Sequence, residues 1–273
     1  LSKENLNLLN SDPAAEEYVE GMLIFENDTL SPVGIRYKGS IGAFVGCLDG
    51  PNMFEPSGAK ICTKLSMKIK INWKGRKKKF FGLKKLQFHS MNNDASQMHE
   101  RAGYWLFRQM GVPAPRTVHA KLTINGIYTG LYALVEQIDS RFIKENFDDK
   151  KGNLYKEIWP LTYAGVPYPI EDYIKALKTN ENSNPSVELI RSFGQKIADA
   201  NEEDLQQIIA EHMNIDEIIS YAVVDRIIRN DDGAFHWYCE GNSCENHNYY
   251  WYEEPSTAQL HLIPWDLDNA FEN

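Results

Sequence analysis

Two aspartates and an asparagine near the C-terminal end of this chain have the types and spacing that phosphoryl transfer needs. Asp232 stands in Asn230-Asp231-Asp232-Gly233, Asn248 leads the aromatic run Tyr249-Tyr250-Trp251-Tyr252, and Asp266 lies in Ile263-Pro264-Trp265-Asp266-Leu267-Asp268-Asn269-Ala270-Phe271. Phosphoryl transfer uses one carboxylate to receive a hydroxyl proton, and a second carboxylate with an amide oxygen to hold the Mg²⁺ that neutralises the phosphates. Mg²⁺ takes oxygen ligands and often needs only one or two protein carboxylates. Asn248 and Asp266 are candidate metal ligands, and Asp268 either joins them or orients the loop.

Three aspartates compete for the role of proton acceptor: Asp225, Asp231 and Asp232. Asp225 and Asn230 reproduce the Asp-x₄-Asn spacing of ordinary kinases. Asp225, however, falls inside the apolar periodicity of Ile218 to Ile228, where positions five apart on a helix point about 140° away from each other. A structural role is expected for it, with Arg229 as an i+4 partner. Asp232, beside Gly233, belongs to the loop that follows.

The elements that must position these groups change character midway along the chain. Ser66 to Asn72 alternates, with Met67, Ile69 and Ile71 on one face and Ser66, Lys68, Lys70 and Asn72 on the other. Thr117 to Ile124 alternates likewise, and Asn125-Gly126 is a type I′ hairpin signal leading into a return strand over Ile127 to Val135. Between these strands a helix is expected from about Ala95 to Met110, opened by Asp94 and Gln97 as a capping box and closed by Gly111. From Asn201 onward the pattern is helical, with Leu205, Ile208, Ile209 and Met213 on one stripe and Ile215, Ile218, Ile219, Ala222 and Val223 on the next. Residues 148–184 are rich in Tyr, Pro, Asn and Gly and are expected to form ordered loops. Tyr249–Tyr252 and Leu260–Trp265 read as strands joined by a turn over Glu253–Thr257, which brings Asn248 and Asp266 toward one end of a hairpin. An α+β fold follows, with a sheet-rich N-terminal lobe (1–136) and a helix-rich C-terminal lobe (137–273) flanking a ligand site.

Composition limits the functions open to such a chain. With 273 residues, 42% of them hydrophobic, it can bury a large core. The net charge of −9 hides an asymmetry: residues 64–85 hold ten Lys/Arg and no acid, leaving about −19 on the rest. Nucleic acid is therefore not an expected partner, and Lys74-Gly75-Arg76-Lys77-Lys78-Lys79 reads either as a solvated loop or as a docking site for an acidic protein. No apolar run approaches the length of about eighteen residues that a membrane span needs. Cys47, Cys62, Cys239 and Cys244 lack the paired spacing of structural zinc. Cys239 and Cys244 bracket a turn-forming Glu-Gly-Asn-Ser, which suits a local disulfide with Cys47–Cys62 as the second, although three pairings are open. Two disulfides would imply an extracytoplasmic home, and four buried free thiols are the alternative.

The C-terminal block closely resembles the signature of the CotH family, atypical protein kinases first known from bacterial spore coats. The resemblance extends through Arg36-Tyr37-Lys38-Gly39-Ser40, Lys64-Leu65-Ser66-Met67-Lys68-Ile69-Lys70, Gly111-Val112-Pro113-Ala114-Pro115-Arg116, Ile124-Asn125-Gly126, Leu134-Val135-Glu136-Gln137-Ile138-Asp139 and Leu154-Tyr155-Lys156. It covers about Gly34 to Phe271 as one CotH-like kinase domain and implies a bilobal, atypical protein-kinase-like fold. By this resemblance Lys68 is the phosphate-binding strand lysine, with Lys70 the alternative, and Glu100 is the helical carboxylate that pins it. Leu134, Glu136 and Gln137 form the adenine-binding hinge, acting mainly through main chain. Arg36, Lys38 and Lys156 complete the cofactor-binding set. The Asn-x-Asp motif at Asn230 to Asp232 makes Asp232 the base, although Asp231 replaces the family's usual aromatic. The insertion Cys239 to Glu245 is expected to form a lid beside the site.

The implied activity is transfer of the ATP γ-phosphoryl group to Ser or Thr of a secreted or surface-layer protein, with Mg²⁺, or Mn²⁺ or Ca²⁺, as the metal. The rival readings are a non-catalytic surface binding module or adhesin, and a metal-dependent phosphohydrolase. Family members often continue beyond the position of Asn273, so a C-terminal truncation is also expected.

Overall fold

The computed structural model of the protein describes residues 1–40, 42–241 and 243–271. Its chain has an α+β fold that divides into two compact units, one of residues 1–97 with 117–137 and the other of residues 98–116 with 138–273.

The first unit is built on a six-stranded antiparallel sheet. Helix α1 (Lys3–Ser11) precedes β1 (Val19–Phe25) and β2 (Asp28–Tyr37), and β3 (Met67–Lys70), β4 (Lys85–His89), β5 (Thr117–Ile124) and β6 (Ile127–Val135) follow in the spatial order β1-β2-β3-β4-β6-β5. The expected hairpin forms with the expected boundaries: Asn125 (φ 51°) and Gly126 (φ 83°) both take the left-handed conformation a type I′ turn requires. Alternation in β3 buries Met67 and Ile69 in a core with Val33, Ile35, Tyr37, Leu86, Phe88 and Tyr132. The opposite face carries Arg36, Lys68 and Gln87 in one cross-strand row, with Lys70 opposite Lys85 in the next. Strand β3 stops at Lys70, two residues short of the expected end, where Trp73–Gly75 turns as a 3₁₀ segment.

The second unit holds α2 (His99–Gln109), α3 (Ser140–Asn146), β7 (Leu154–Lys156), α4 (Ile170–Ala176), α5 (Glu188–Asp199), α6 (Glu202–His212), α7 (Ile215–Ile227), the short hairpin β8 (Tyr238–Glu240) and β9 (Ser243–Glu245), and strands β10 (Tyr249–Glu254) and β11 (Gln259–Pro264). The last two form the antiparallel sheet β11-β10-β7, with β10 buried along its whole length. Asn201 caps α6 at the amides of Glu203 and Asp204, and Asn214 caps α7 at Glu217, so both expected helices start where a side-chain acceptor meets free N–H groups.

Three expectations are corrected. The helix expected from Ala95 begins at His99, because Asp94 accepts from Gln97 N within a turn of its own and Gln97 is left-handed (φ 57°), which breaks the helical run. Residues 148–184 are not all loop, since β7 pairs with β10 and α4 packs on β7. The hairpin turn lies at residues 255–258 rather than from Glu253, because Glu253 and Glu254 stay in β10 as buried acceptors. Glu253 takes hydrogen bonds from Tyr155 Oη (2.8 Å), Asn153 Nδ2 (2.9 Å) and Ile190 N (3.1 Å), and burial pushes its carboxyl up to about 7.

Both disulfides form with the expected pairing, Cys47–Cys62 in the first unit and Cys239–Cys244 across β8 and β9. They are compatible with an extracytoplasmic location. Among the described residues no helix is long and apolar enough to cross a membrane.

Candidate functional site

In the first unit the polar face of the sheet concentrates positive charge. Lys68 lies at the centre of the sheet, between Arg36 and Gln87 on neighbouring strands. Burial, and after it the nearby charges of Lys85, Lys38 and Arg36, pull its ammonium down to about 8, against one acidic influence from Glu16. Among the described residues of this unit Lys68 makes no ion pair. Lys38 Nζ donates to Gln87 Oε1 (3.3 Å) and lies 2.7 Å from His89 Nε2. Gln87 Nε2 is buried with no hydrogen-bond partner among the described residues. An orphaned buried donor beside a desolvated lysine marks a place where an anion would satisfy both.

The other candidate cations differ in how they are held. Arg36 is paired with Glu16 (2.6 Å), whose Oε1 also accepts from Gly39 N. Lys70, the alternative to Lys68, lies over the rings of Tyr18 (5.9 Å) and Trp73 (5.7 Å), so its charge already has a π partner. Ile41, which lies between Gly39 and Gly42 in the sequence, falls outside the described residues. Leu134 packs against the apolar cluster on the face away from Lys68, whereas Val135 pairs with Gln87 and shares the Lys68 face. Val135 is thus the apolar side chain the sequence reading missed there, and the period-2 alternation of β6 was the signal for it.

In the second unit the chain gathers around the Asp232 carboxylate. Its Oδ1 accepts from Tyr238 Oη (2.8 Å), and its Oδ2 from Asn248 Nδ2 (2.9 Å) and Asn269 Nδ2 (3.1 Å). Asn248 Nδ2 also donates to Asp232 O (2.9 Å), which fixes its amide orientation and turns Oδ1 away as an available oxygen. Three neutral donors therefore orient the carboxylate without cancelling its charge.

Asn248 and Asp266 stand at the open end of the β10/β11 hairpin. Trp265 N donates to Asn248 O (3.0 Å), one step beyond the Tyr249–Pro264 pair. Both residues are left-handed, Asn248 at φ 62° and Asp266 at φ 52°, a costly conformation for an aspartate that concentrates at functional sites. Asp266 N is held by Tyr104 Oη (2.8 Å), and Tyr104 also donates toward Glu100 Oε1 (3.4 Å). Burial, then the Glu100 and Asp266 charges, keep the Tyr104 hydroxyl protonated well above its usual range. Glu100 itself is buried in α2, and His99 Nδ1 lies 2.8 Å from Asp268 O. Asn248 and Asp266 are both part-exposed, and a carboxylate and an amide oxygen are hard oxygen donors of the kind Mg²⁺ accepts.

Lys156 lies in the second unit, not with the sheet lysines. It pairs with Glu157 (3.0 Å), whose Oε1 also accepts from Asn248 N (3.2 Å), so it braces the Asn248 turn.

Asp225 is fully buried and pairs with Arg226, with Arg226 Nε at 2.9 Å from Oδ2, and Asn230 Nδ2 donates to Oδ1 (2.8 Å). The expected partner Arg229 is corrected to Arg226. The opposite-face argument for Asn230 also fails, because the helix ends at Ile227 and Arg229 is left-handed (φ 52°), folding Asn230 back onto Asp225. A Cβ on Gly233 would lie 2.2 Å from Asn230 Nδ2, so only glycine lets this knot sit beneath Asp232. Tyr238 and Asn269 are the other residues sequence reasoning missed. Asn269 stood inside the quoted C-terminal motif, and Tyr238 precedes the first cysteine of the small hairpin. That hairpin is made of Tyr238–Glu240 and Ser243–Glu245, with Asn242 outside the described residues, and Tyr238 at its base holds Asp232.

The family model described as CotH kinase protein matches residues 35–273. No curated protein matches the sequence.

Proposed function

The chain belongs to the CotH kinase family, and on that premise we propose that it transfers the γ-phosphoryl group of ATP to a Ser or Thr hydroxyl of a secreted or surface-layer protein. The observation that carries this reading is the Asp232 carboxylate, part-exposed and oriented by Tyr238, Asn248 and Asn269.

Each group has a proposed role. Lys68 and the Gln87 amide bind phosphate oxygens on the first unit, with Lys38 adding charge, while the part of Glu100 as the lysine's partner rests on the family resemblance. Leu134, Glu136 and Gln137 mark the strand end that reads adenine, mainly through backbone groups. Asp266 and Asn248 would hold the Mg²⁺, which would supply charge neutralisation at the phosphates when bound. Asp232 accepts the proton of the acceptor hydroxyl as its oxygen bonds to the γ-phosphorus, and the bond to the bridging oxygen breaks to leave ADP. Asn248 would serve two groups at once, orienting the base through Nδ2 and offering Oδ1 to the cation.

Asp266→Ala tests the assignment. Mg²⁺-dependent labelling of protein by γ-labelled ATP should vanish while the thermal transition remains. Wild-type labelling by the folded variant would remove Asp266 from the site. Labelled phosphate released to solution by the wild type, with none on protein, would replace the kinase reading by hydrolysis.

A further inference from the structure

The Lys/Arg run between β3 and β4 takes no part in the proposed reaction. Two of its members are spoken for, Lys74 by Glu20 (2.6 Å) and Arg76 by the carbonyl of Ser31. Lys77, Lys78, Lys79 and Lys84 make no ion pair among the described residues, and with Asn72 and Arg76 they line a cavity of about 390 Å³. Like charges held around one concavity repel each other unless an anionic surface faces them.

An aromatic tip adjoins the cavity along the chain. Lys79 and Lys84 directly flank a tight turn closed by Phe80 N to Leu83 O (2.9 Å) and Leu83 N to Phe80 O (2.8 Å). Its central residues are Phe81 (φ 46°) and Gly82 (φ 81°), and Phe81 is 69% exposed. Such turns prefer Asn, Asp or Gly at both centres, and a bulky side chain at positive φ is a steric outlier. The ring packs edge-on to Phe80 (4.7 Å) and stands 6.2 Å from Phe25, itself 47% exposed. A strained turn therefore displays aromatic rings at the rim of a cationic cavity.

We infer that this tip is a peripheral docking site for an anionic lipid bilayer, with the lysines on the headgroup phosphates and Phe81 and Phe25 at the acyl boundary. A purely acidic peptide would satisfy the lysines and leave the rings in water. Lysine is also depleted at protein–protein interfaces, whereas clustered lysines with protruding aromatics suit a lipid surface. Each cation near such a surface strengthens partitioning roughly fivefold, within a Debye length. The inference is independent of the phosphoryl-transfer reading.

Co-sedimentation of the full chain with phosphatidylcholine vesicles, with and without about 30 mol % phosphatidylglycerol, tests it. The expected result is binding at least about tenfold tighter to the anionic vesicles, lost between about 0.1 and 0.5 M salt. Lys77→Glu with Lys78→Glu and Lys79→Glu should abolish it. Phe81→Asn, which suits the left-handed turn and so keeps the fold, should weaken binding severalfold while leaving its salt dependence. Equal partitioning to both vesicles, unchanged binding by the Phe81→Asn variant, or retention on polyglutamate without retention on vesicles would each overturn the inference.

Discussion

The two units hold their charged groups in opposite ways. On the first, Lys68 sits on a rigid strand among Arg36, Lys38 and Lys85, and the strain is electrostatic: burial and like charge depress its ammonium to about 8. On the second, Asp232 sits in a loop among neutral donors, and the strain is in the backbone, at the left-handed Asn248 and Asp266. A sheet keeps cations close because its register cannot relax, and the repulsion is relieved by an incoming anion or by loss of the proton. Loops fixed at positive φ can aim amide and carboxylate oxygens at one point, which a sheet's alternation cannot do.

If Lys68 is strained by charge, replacing it should have the largest effect on nucleotide affinity. Lys68→Met should weaken ATP binding by roughly 10- to 100-fold, the scale of one charge-assisted contact, measured by calorimetry. The pH dependence sharpens the point. Because the folded value of about 8 lies below the ordinary 10.5, wild-type affinity for a phosphate ligand should fall from pH 7 to 9, while Lys68→Met stays flat. For stability the sign is opposite: the cost of the buried ammonium is relieved as pH rises from about 8 toward 10.5. A flat wild-type profile would remove the electrostatic half of the contrast.

Asp225 provides a control within the second unit, a charge that is buried and paired rather than presented. Asp225→Ala should lower stability by about 2–4 kcal/mol, since it leaves the buried Asn230 amide and a half-exposed Arg226 without their acceptor. Denaturant unfolding measures this, and transfer per folded molecule should stay within about threefold of wild type. The smallest effect is expected at Tyr238. With Oδ2 still held by Asn248 and Asn269, Tyr238→Phe should reduce transfer by roughly two- to tenfold, less than the full worth of a charge-assisted hydrogen bond because two donors still orient the carboxylate. A loss as large as that from removing the base itself would mean that the tyrosine, not the amides, orients the carboxylate.

What was legible in the sequence follows from where local signals and tertiary structure agree. The β5/β6 hairpin and the capped helices α6 and α7 carry their instructions within a few residues, so they form where expected. Helix α2 does not, because Asp94 finds a nearer turn to cap. Glu253 and Glu254 read as turn residues, and only their distant partners, Tyr155 and Asn153 for the first and the Asp148 and Asp149 amides for the second, make them strand. The same holds at the site. Asp232, Asn248 and Asp266 stood out as candidates by type and spacing. Tyr238, Asn269 and Gln87 were not, because their importance lies in hydrogen bonds, made or missing, that only the folded chain defines.

The central claim is that Asp232, not its buried neighbour seven residues earlier, receives the acceptor proton. The direct measurement is single-turnover phosphorylation of protein by Asp232→Asn and Asp225→Asn, with ATP affinity and unfolding recorded on the same preparations. The account predicts that Asp232→Asn binds ATP normally and loses transfer by about two or more orders of magnitude, the usual scale for a positioned base, while Asp225→Asn loses stability and keeps transfer. Loss of transfer in a folded Asp225→Asn variant, with Asp232→Asn active, would contradict it.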